Sequence, residues 1–240
     1  RRGSLLGPWK IGTMGQIKNL LLVFIAIILT ALLLRRFLGI YAIIVPLLYM
    51  FFDVNWSLRV AWMIVKKGLL YRKTINSNFL DVSDTTFIVL PSDMDLNMHM
   101  NNARYFRECD FGRINFWIAS GMMNVMRKNH CSVTIAASCV RYRRSLELFQ
   151  KVVLKTRVLA WDETSFYLEQ RFAGKDNFVY AIVLTKNKVI QASKKERVVS
   201  PAELVQSLSG WNMPSPSIPH DLHFWLQYNS ASSAKLKNAL

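Results

Sequence analysis

The chain has 240 residues, 52% of them hydrophobic, and 31 Lys and Arg against 15 Asp and Glu give a formal net charge of +16. That length holds one domain of ordinary size and an appendage. Three cysteines without a CxxC pair (Cys109, Cys131, Cys139) exclude a disulfide framework and a cysteine metal cluster, and with no zinc-finger spacing or basic helix tract no nucleic acid is expected as a partner.

Charge and apolarity are both concentrated at the N-terminal end. Residues 1–75 carry eleven Lys or Arg against one acid, Asp53, so +10 of the total lies there. Uncharged apolar runs cover residues 20–34 and 37–52, separated by Arg35-Arg36. Basic residues beside apolar runs suit an anionic lipid surface. Each run is near the short end of what spans a bilayer, about 20 residues being usual. Two arrangements fit: one transmembrane helix on residues 37–52 extended through Trp56, Leu58 and residues 61–65, or a hairpin of two short helices. Lys66, Lys67, Arg72 and Lys73 place the following domain on the cytosolic side. A cleaved signal peptide lacks its small-residue cleavage site, and Met14 is a candidate start. The short anchor with aromatic and basic flanks is compatible with the thin endoplasmic reticulum bilayer.

Residues 84–91 read as a strand, rich in Thr, Phe, Ile and Val and closed by Pro91. After a polar turn, Asn101 or Asn102 caps a helix running to about Gly121. Tyr105, Cys109, Gly112, Phe116 and Ala119 share one face of it, and Gly112 allows a close backbone approach. Four strands follow, near 132–144, 151–160, 165–173 and 178–190. Phe166, Leu168, Gln170 and Phe172 alternate with Tyr167, Glu169 and Arg171, as in a sheet with one face covered. Asp162-Glu163 and residues 174–177 form the turns. Pro201 starts a short helix, three prolines (Pro214, Pro216, Pro219) make an irregular linker, and residues 221–240 end in a helix. The predicted class is α+β, an antiparallel sheet curled around one long helix. Residues 1–75 form the membrane segment, 76–195 the domain and 196–240 a helical extension.

Polar groups gather at the strand-to-helix turn. Asp95, Asn97 and His99 fall two residues apart just before a helix N-terminus, where unpaired N–H groups and a partial positive charge can polarise a carbonyl. A carboxylate and an imidazole beside it supply a base or nucleophile and an orienting hydrogen bond, the parts acyl transfer needs. Singly, Asn101 and Asn102 serve as caps and Asp95 and His99 as satisfied turn residues; the cluster points to function. Cys139, among Ala137, Ser138 and Val140, reads as a small core residue. Arg141, Arg143 and Arg144 suit phosphate or a solvated edge; strand alternation puts Arg141 and Arg143 on one face and Arg144 on the other.

The stretch from Asp93 to Tyr105 resembles the Asp-x-x-Gly-His-Val-Asn-Asn-x-x-Tyr signature of the 4-hydroxybenzoyl-CoA-type hotdog thioesterase superfamily. It is also similar to the Asp-x-Asn-x-His-x-x-Asn stretch of plant acyl-carrier-protein thioesterases. Tyr142 to Leu154 resembles the superfamily's Tyr-x-Arg-Pro-Leu strand pair, with Ser145 where proline is common. Within the superfamily the likeness is greatest to a membrane-anchored branch. The resemblance implies a hotdog fold and a membrane-anchored acyl-thioester (acyl-CoA) hydrolase that uses water and neither metal nor cofactor. It implies Asp95 as nucleophile or base, His99 as the orienting group, Asn97, Asn101 and Asn102 as polar site residues, and a thioester carbonyl resting against the N-terminus of the 102–120 helix. Tyr105, Asp110, Arg143 and Arg144 are the substrate-side candidates, and a homodimer is the expected assembly. Met98 stands where the superfamily has a glycine, which keeps a second reading open: a hotdog that binds acyl chains or acts as a membrane scaffold with little turnover. Acyl chain length depends on the depth of the layer between sheet and helix.

Overall fold

The computed structural model describes residues 14–39, 41–70, 78–191, 198–210 and 212–237. The chain divides into two compact units, one of Arg1–Met63 with Asp95–Met98, the other of Ile64–Met94 with His99–Leu240. Arg72, Lys73 and the domain limits drawn after residues 75 and 195 lie outside the described residues.

The N-terminal unit is built from helices α1 (Met14–Leu38), α2 (Tyr41–Phe51) and the start of α3 (Val54–Leu70). Helix α1 runs through Arg35-Arg36 and stops at Gly39, whose left-handed φ of +52° suits a helix end. The break between α2 and α3 has a local cause. Asp53 Oδ1 accepts the Trp56 N–H at 3.0 Å, so its side chain caps the next helix instead of continuing the last. The continuous anchor helix expected from residue 37 through Val65 is therefore not formed. Among the described residues no single helix is long and apolar enough to cross a membrane. The pair Ile43–Phe51 and Val54–Lys66, bent by 84°, meets that requirement together by length and composition. Large apolar side chains of these helices stand exposed, among them Phe24, Leu33, Met50 and Phe51.

The second unit carries the α+β fold. Strands β1 (Ser83–Ile88), β2 (Cys131–Tyr142), β3 (Lys151–Trp161), β4 (Ser165–Ala173) and β5 (Val179–Gln191) form one antiparallel sheet in the order β1-β3-β4-β5-β2. Helix α4 (Asn102–Ala119) lies on its inner face, followed by a short α5 (Met122–Lys128). Gly112 is where helix and sheet come closest. A Cβ there would stand 2.7 Å from Gln170 Nε2 and Leu154 Cδ2 and 2.9 Å from Thr156 Oγ1, so only glycine fits.

Apolar side chains on the inner face form two clusters, one on each side of that contact. Tyr105, Cys109, Leu154 and Phe172 belong to the first, beside the start of α4. The second surrounds the end of α4 with Phe116, Trp117, Trp161 and Phe166, and Phe79 touches all four of these rings at 5.7–6.4 Å. Helix α6 (Pro201–Ser209) closes this end with Leu204 and Val205.

The outer face is less exposed than alternation along β4 suggested, because two groups cover it. Helix α7 (His220–Lys237) sets Leu222 and Trp225 against Leu159, Ala160 and Tyr167. Beside them Glu169, nearly buried, accepts from Arg157 at 2.8 Å and from Arg171 at 2.9 Å. Strand β2 remains a long edge, with no described strand beyond it.

Candidate active site

After β1 the chain pinches into a narrow neck. Buried Asp93 accepts the Leu90 N–H on Oδ2 at 2.9 Å, and its carbonyl accepts the Asn101 N–H at 2.8 Å. Met94 and Met100 form an isolated antiparallel bridge between the same two stretches. The intervening Asp95–Met98 turn groups with the N-terminal unit. In it Asp95 Oδ1 accepts the Asn97 N–H at 2.9 Å, and the Asp95 carbonyl accepts the Met98 N–H at 3.1 Å. Met98 takes a left-handed φ of +61°. This is a conformation that glycine adopts freely and methionine does not.

Beyond the neck, Asn101 is the N-cap of α4 and its Oδ1 accepts the Ala103 N–H at 2.9 Å. Asn102 is exposed and His99 half-buried. The Asn102 carbonyl accepts the Tyr142 hydroxyl at 3.1 Å. Tyr105 is buried against the rings of Tyr142 and Phe172, each 5.0 Å away. Its hydroxyl accepts the Leu146 N–H at 3.2 Å, and the Leu146 carbonyl accepts the Met100 N–H at 2.9 Å. The segment after β2 is thereby strapped to the start of α4. Burial raises the pKa of the Tyr142 phenol, so this tether stays protonated at neutral pH. The first turn of α4 offers N–H donors and a partial positive charge, which can hold an oxyanion.

Asp110 lies two turns further along, on α4 itself, and pairs with Arg113. Arg113 Nη1 donates to Gln170 Oε1 at 2.9 Å, and Gln170 Nε2 donates to the Cys109 carbonyl at 3.0 Å and to Thr156 Oγ1 at 3.1 Å. Burial, against the opposing charge of Arg113 and aided by Asp110 and Glu108, pushes the Cys109 thiol up to about 12. Cys109 is thus an inert core thiol.

Arg143 and Arg144 sit at another corner of the sheet. Alternation fails for them because β2 has ended: both backbone N–H groups donate to the Tyr180 carbonyl, at 2.8 and 3.2 Å. Their guanidinium carbons stand 4.8 and 4.4 Å from the Phe178 ring centre, and Arg143 also donates to the Val179 carbonyl at 3.0 Å. Cys139 is exposed, not a core residue, because β2 is an edge strand. Among the described residues no three of His, Cys, Asp and Glu gather to hold a metal ion.

The structure therefore collects Asn101, Asn102 and Tyr105 at the start of α4, places Asp110 further along the helix, and puts Arg143 and Arg144 together at Phe178. Sequence reasoning passed over Tyr142 as a tether to α4 and the Arg113–Gln170–Thr156 group. The second had a visible signal, a glutamine at an inward position between Leu168 and Phe172.

A family model described as the Thioesterase-like superfamily matches residues 89–220, which take in the neck, α4 and the whole of the sheet after β1. Protein THEM6 of Xenopus laevis is 35% identical over 202 residues, 84% of this chain and 93% of that protein. The chain belongs to the thioesterase-like superfamily. Protein THEM6 of Danio rerio is 38% identical over 195 residues, covering 80% of this chain and 90% of its own. A solved structure, YbaW probable thioesterase from Escherichia coli, is 19% identical with a TM-score of 0.46, over 52% of this chain and 94% of that one. The superfamily's hotdog fold is the architecture described above: five antiparallel strands on one long helix.

Proposed function

We propose that this protein hydrolyses acyl-thioesters, with acyl-CoA as the substrate class, at the N-terminus of α4. The observation that carries the reading is the capped, strapped first turn of α4 in a chain of the thioesterase-like superfamily. The carbonyl oxygen of the thioester takes the developing negative charge against the first-turn N–H groups. Asp95 acts as nucleophile, or as base for water, and His99 orients the reacting group. Asn97, Asn101 and Asn102 supply the polar surroundings. Arg143 and Arg144 bind coenzyme A phosphates: they are adjacent, exposed and held at one ring, and no acid pairs with them among the described residues. Water is the acceptor, and the thiol of coenzyme A leaves with a proton.

The assembly in this reading is a homodimer that hides the long β2 edge. The exposed apolar helices α1 to α3 and their basic neighbours tether it to a lipid bilayer, that of the endoplasmic reticulum, with the domain on the cytosolic side. A second reading, an acyl-binding protein with little turnover, is favoured by Met98 alone, since a bulky left-handed residue occupies the turn.

Thioester hydrolysis by the full chain, run beside Asp95→Asn, separates the two. Turnover reduced by about a hundredfold or more in the variant is the result expected of a lost base or nucleophile. Saturable acyl-CoA binding that is equal in both proteins, without turnover in either, overturns hydrolysis and leaves the binding reading.

A further inference from the structure

Helices α2 and α3 carry their polar groups differently. Every described side chain of α2 is apolar or aromatic and stands exposed, Ile43, Leu47, Tyr49 and Phe51 among them. A helix apolar all round is suited to immersion. In α3 the polar side chains Asn55, Arg59 and Lys66 follow at steps of four and seven residues, so they form one stripe along one face, and all three are exposed. Ser57 turns its hydroxyl back to the Asp53 carbonyl at 3.0 Å. Trp62 stands beside the stripe, and Leu58, Ile64 and Val65 expose apolar surface on the rest of the helix.

We infer that α2 and α3 form a V-shaped wedge in the cytosolic leaflet of a phospholipid bilayer, entering and leaving it on the same side. The inference rests on the lipid tether proposed above. Helix α2 has 11 residues and is about 16 Å long, half of a hydrocarbon core of about 30 Å. It cannot cross alone, and at its end the chain bends by 84° into α3. The pair fits a bilayer in two ways: across it, with both legs sloping onward, or inside one leaflet, with α3 climbing back. Arg59 decides between them. Crossing carries it near the middle of the core, where a cation is strongly disfavoured. In the wedge, with the bend shared equally by the legs, the tip at Phe51-Phe52 lies about 11 Å deep and Arg59 about 5 Å deep, within reach of the headgroups. Asp53 lies at a similar depth in both arrangements and does not discriminate. Trp62 and Lys66 then stand at the interface, where aromatic and basic side chains collect. The flanking charge agrees. Arg35-Arg36 precede α2, and Lys66-Lys67 lie near the end of α3. Crossing puts these pairs on opposite sides; the wedge puts both on the cytosolic face, where anionic headgroups attract them.

The test uses the full chain made in the presence of sealed microsomes, whose outer surface is cytosolic, and a membrane-impermeant polyethylene glycol maleimide read as a gel shift. Cys139→Ala removes the exposed thiol and leaves Cys109 and Cys131 buried. Three variants enter this background singly: Tyr41→Cys at the top of α2, Phe52→Cys at the tip and Lys66→Cys on the returning leg. In intact microsomes the wedge gives one shift for Tyr41→Cys and one for Lys66→Cys. Phe52→Cys gives none until detergent dissolves the membrane. Protection of either end, relieved when the membrane is opened, overturns the wedge and leaves the lipid tether standing. So does a shift of Phe52→Cys in intact microsomes from chains that stay with the membrane. Recovery of the chain in the soluble fraction overturns wedge and tether together.

Discussion

Two single residues hold conformational or electrostatic tension that can be measured. Met98 sits at a φ of +61° in the turn beside the proposed site. A left-handed L-residue costs about 1–2 kcal/mol, and the greater chain entropy of unfolded glycine cancels about half of it. Met98→Gly is therefore expected to raise stability by about 0.5 kcal/mol, visible as a small upward shift of the denaturant midpoint. A loss of stability would show that contacts of the methionine side chain outweigh the strain. Cys109 supplies the other case. Its thiol ionises near 9 when exposed and near 12 in the fold. The folded state holds its proton where the unfolded chain gives it up, so the stability it lends is present below pH 9 and declines as pH rises toward 12. Denaturant titrations across that range should show an alkaline decline that Cys109→Ala flattens. In the native protein a thiol reagent should modify exposed Cys139 first.

At the scale of elements, the contact between α4 and the sheet is the least forgiving. Gly112→Ala gains about 1 kcal/mol of helix propensity, yet its Cβ must displace Gln170 and Leu154 from 2.7 Å. Overpacking of this kind costs about 1–3 kcal/mol beyond that, so a net fall in the urea midpoint is expected, together with loss of protection at the α4 amides in hydrogen exchange. Most of this architecture was legible in the sequence, for physical reasons. The predicted strand 165–173 matches β4 end to end, because Asp162 binds the Thr164 and Ser165 N–H groups and starts the strand abruptly. Asn101 capped α4 as its side chain predicts, and Pro201 with Ser200 opened α6. What stayed hidden depends on contacts between distant residues. Nothing local announces that Phe79 will be encircled by four rings, or that α7 will cover Tyr167. The Asn101 cap at the start of α4 was legible in the motif, but the Arg113–Gln170–Thr156 group was not, since it exists only where α4, β3 and β4 meet. Alternation misplaced Arg144 because it assumes a strand that had already ended.

For the whole molecule, the proposed lipid tether has two candidate sources, the charge and the apolar helices, and they make opposite predictions. A protein retained only by its basic residues leaves a membrane when ionic strength rises, because screening shortens their reach to about 3 Å at 1 M salt. One retained by α1 to α3 does not. The full chain is expected to stay with the membrane fraction through high salt and alkaline carbonate and to be released by detergent. Release by salt alone would put the tether in the charges and overturn the proposed tether by α1 to α3.

The strand order also dictates when the fold can be completed. The β3, β4 and β5 meander pairs neighbours in sequence, but β2 must find β5 across both intervening strands, aligning Cys131 with Gln191 and Tyr142 with Ala181. Such distant pairing is slow because loop closure comes before its reward. On a ribosome, α4 emerges with much of its surface apolar and has no sheet to rest on until β3 and β4 have been made. The newborn chain thus passes through a stage in which the apolar face of this helix is uncovered, a stage at which chaperones would engage it.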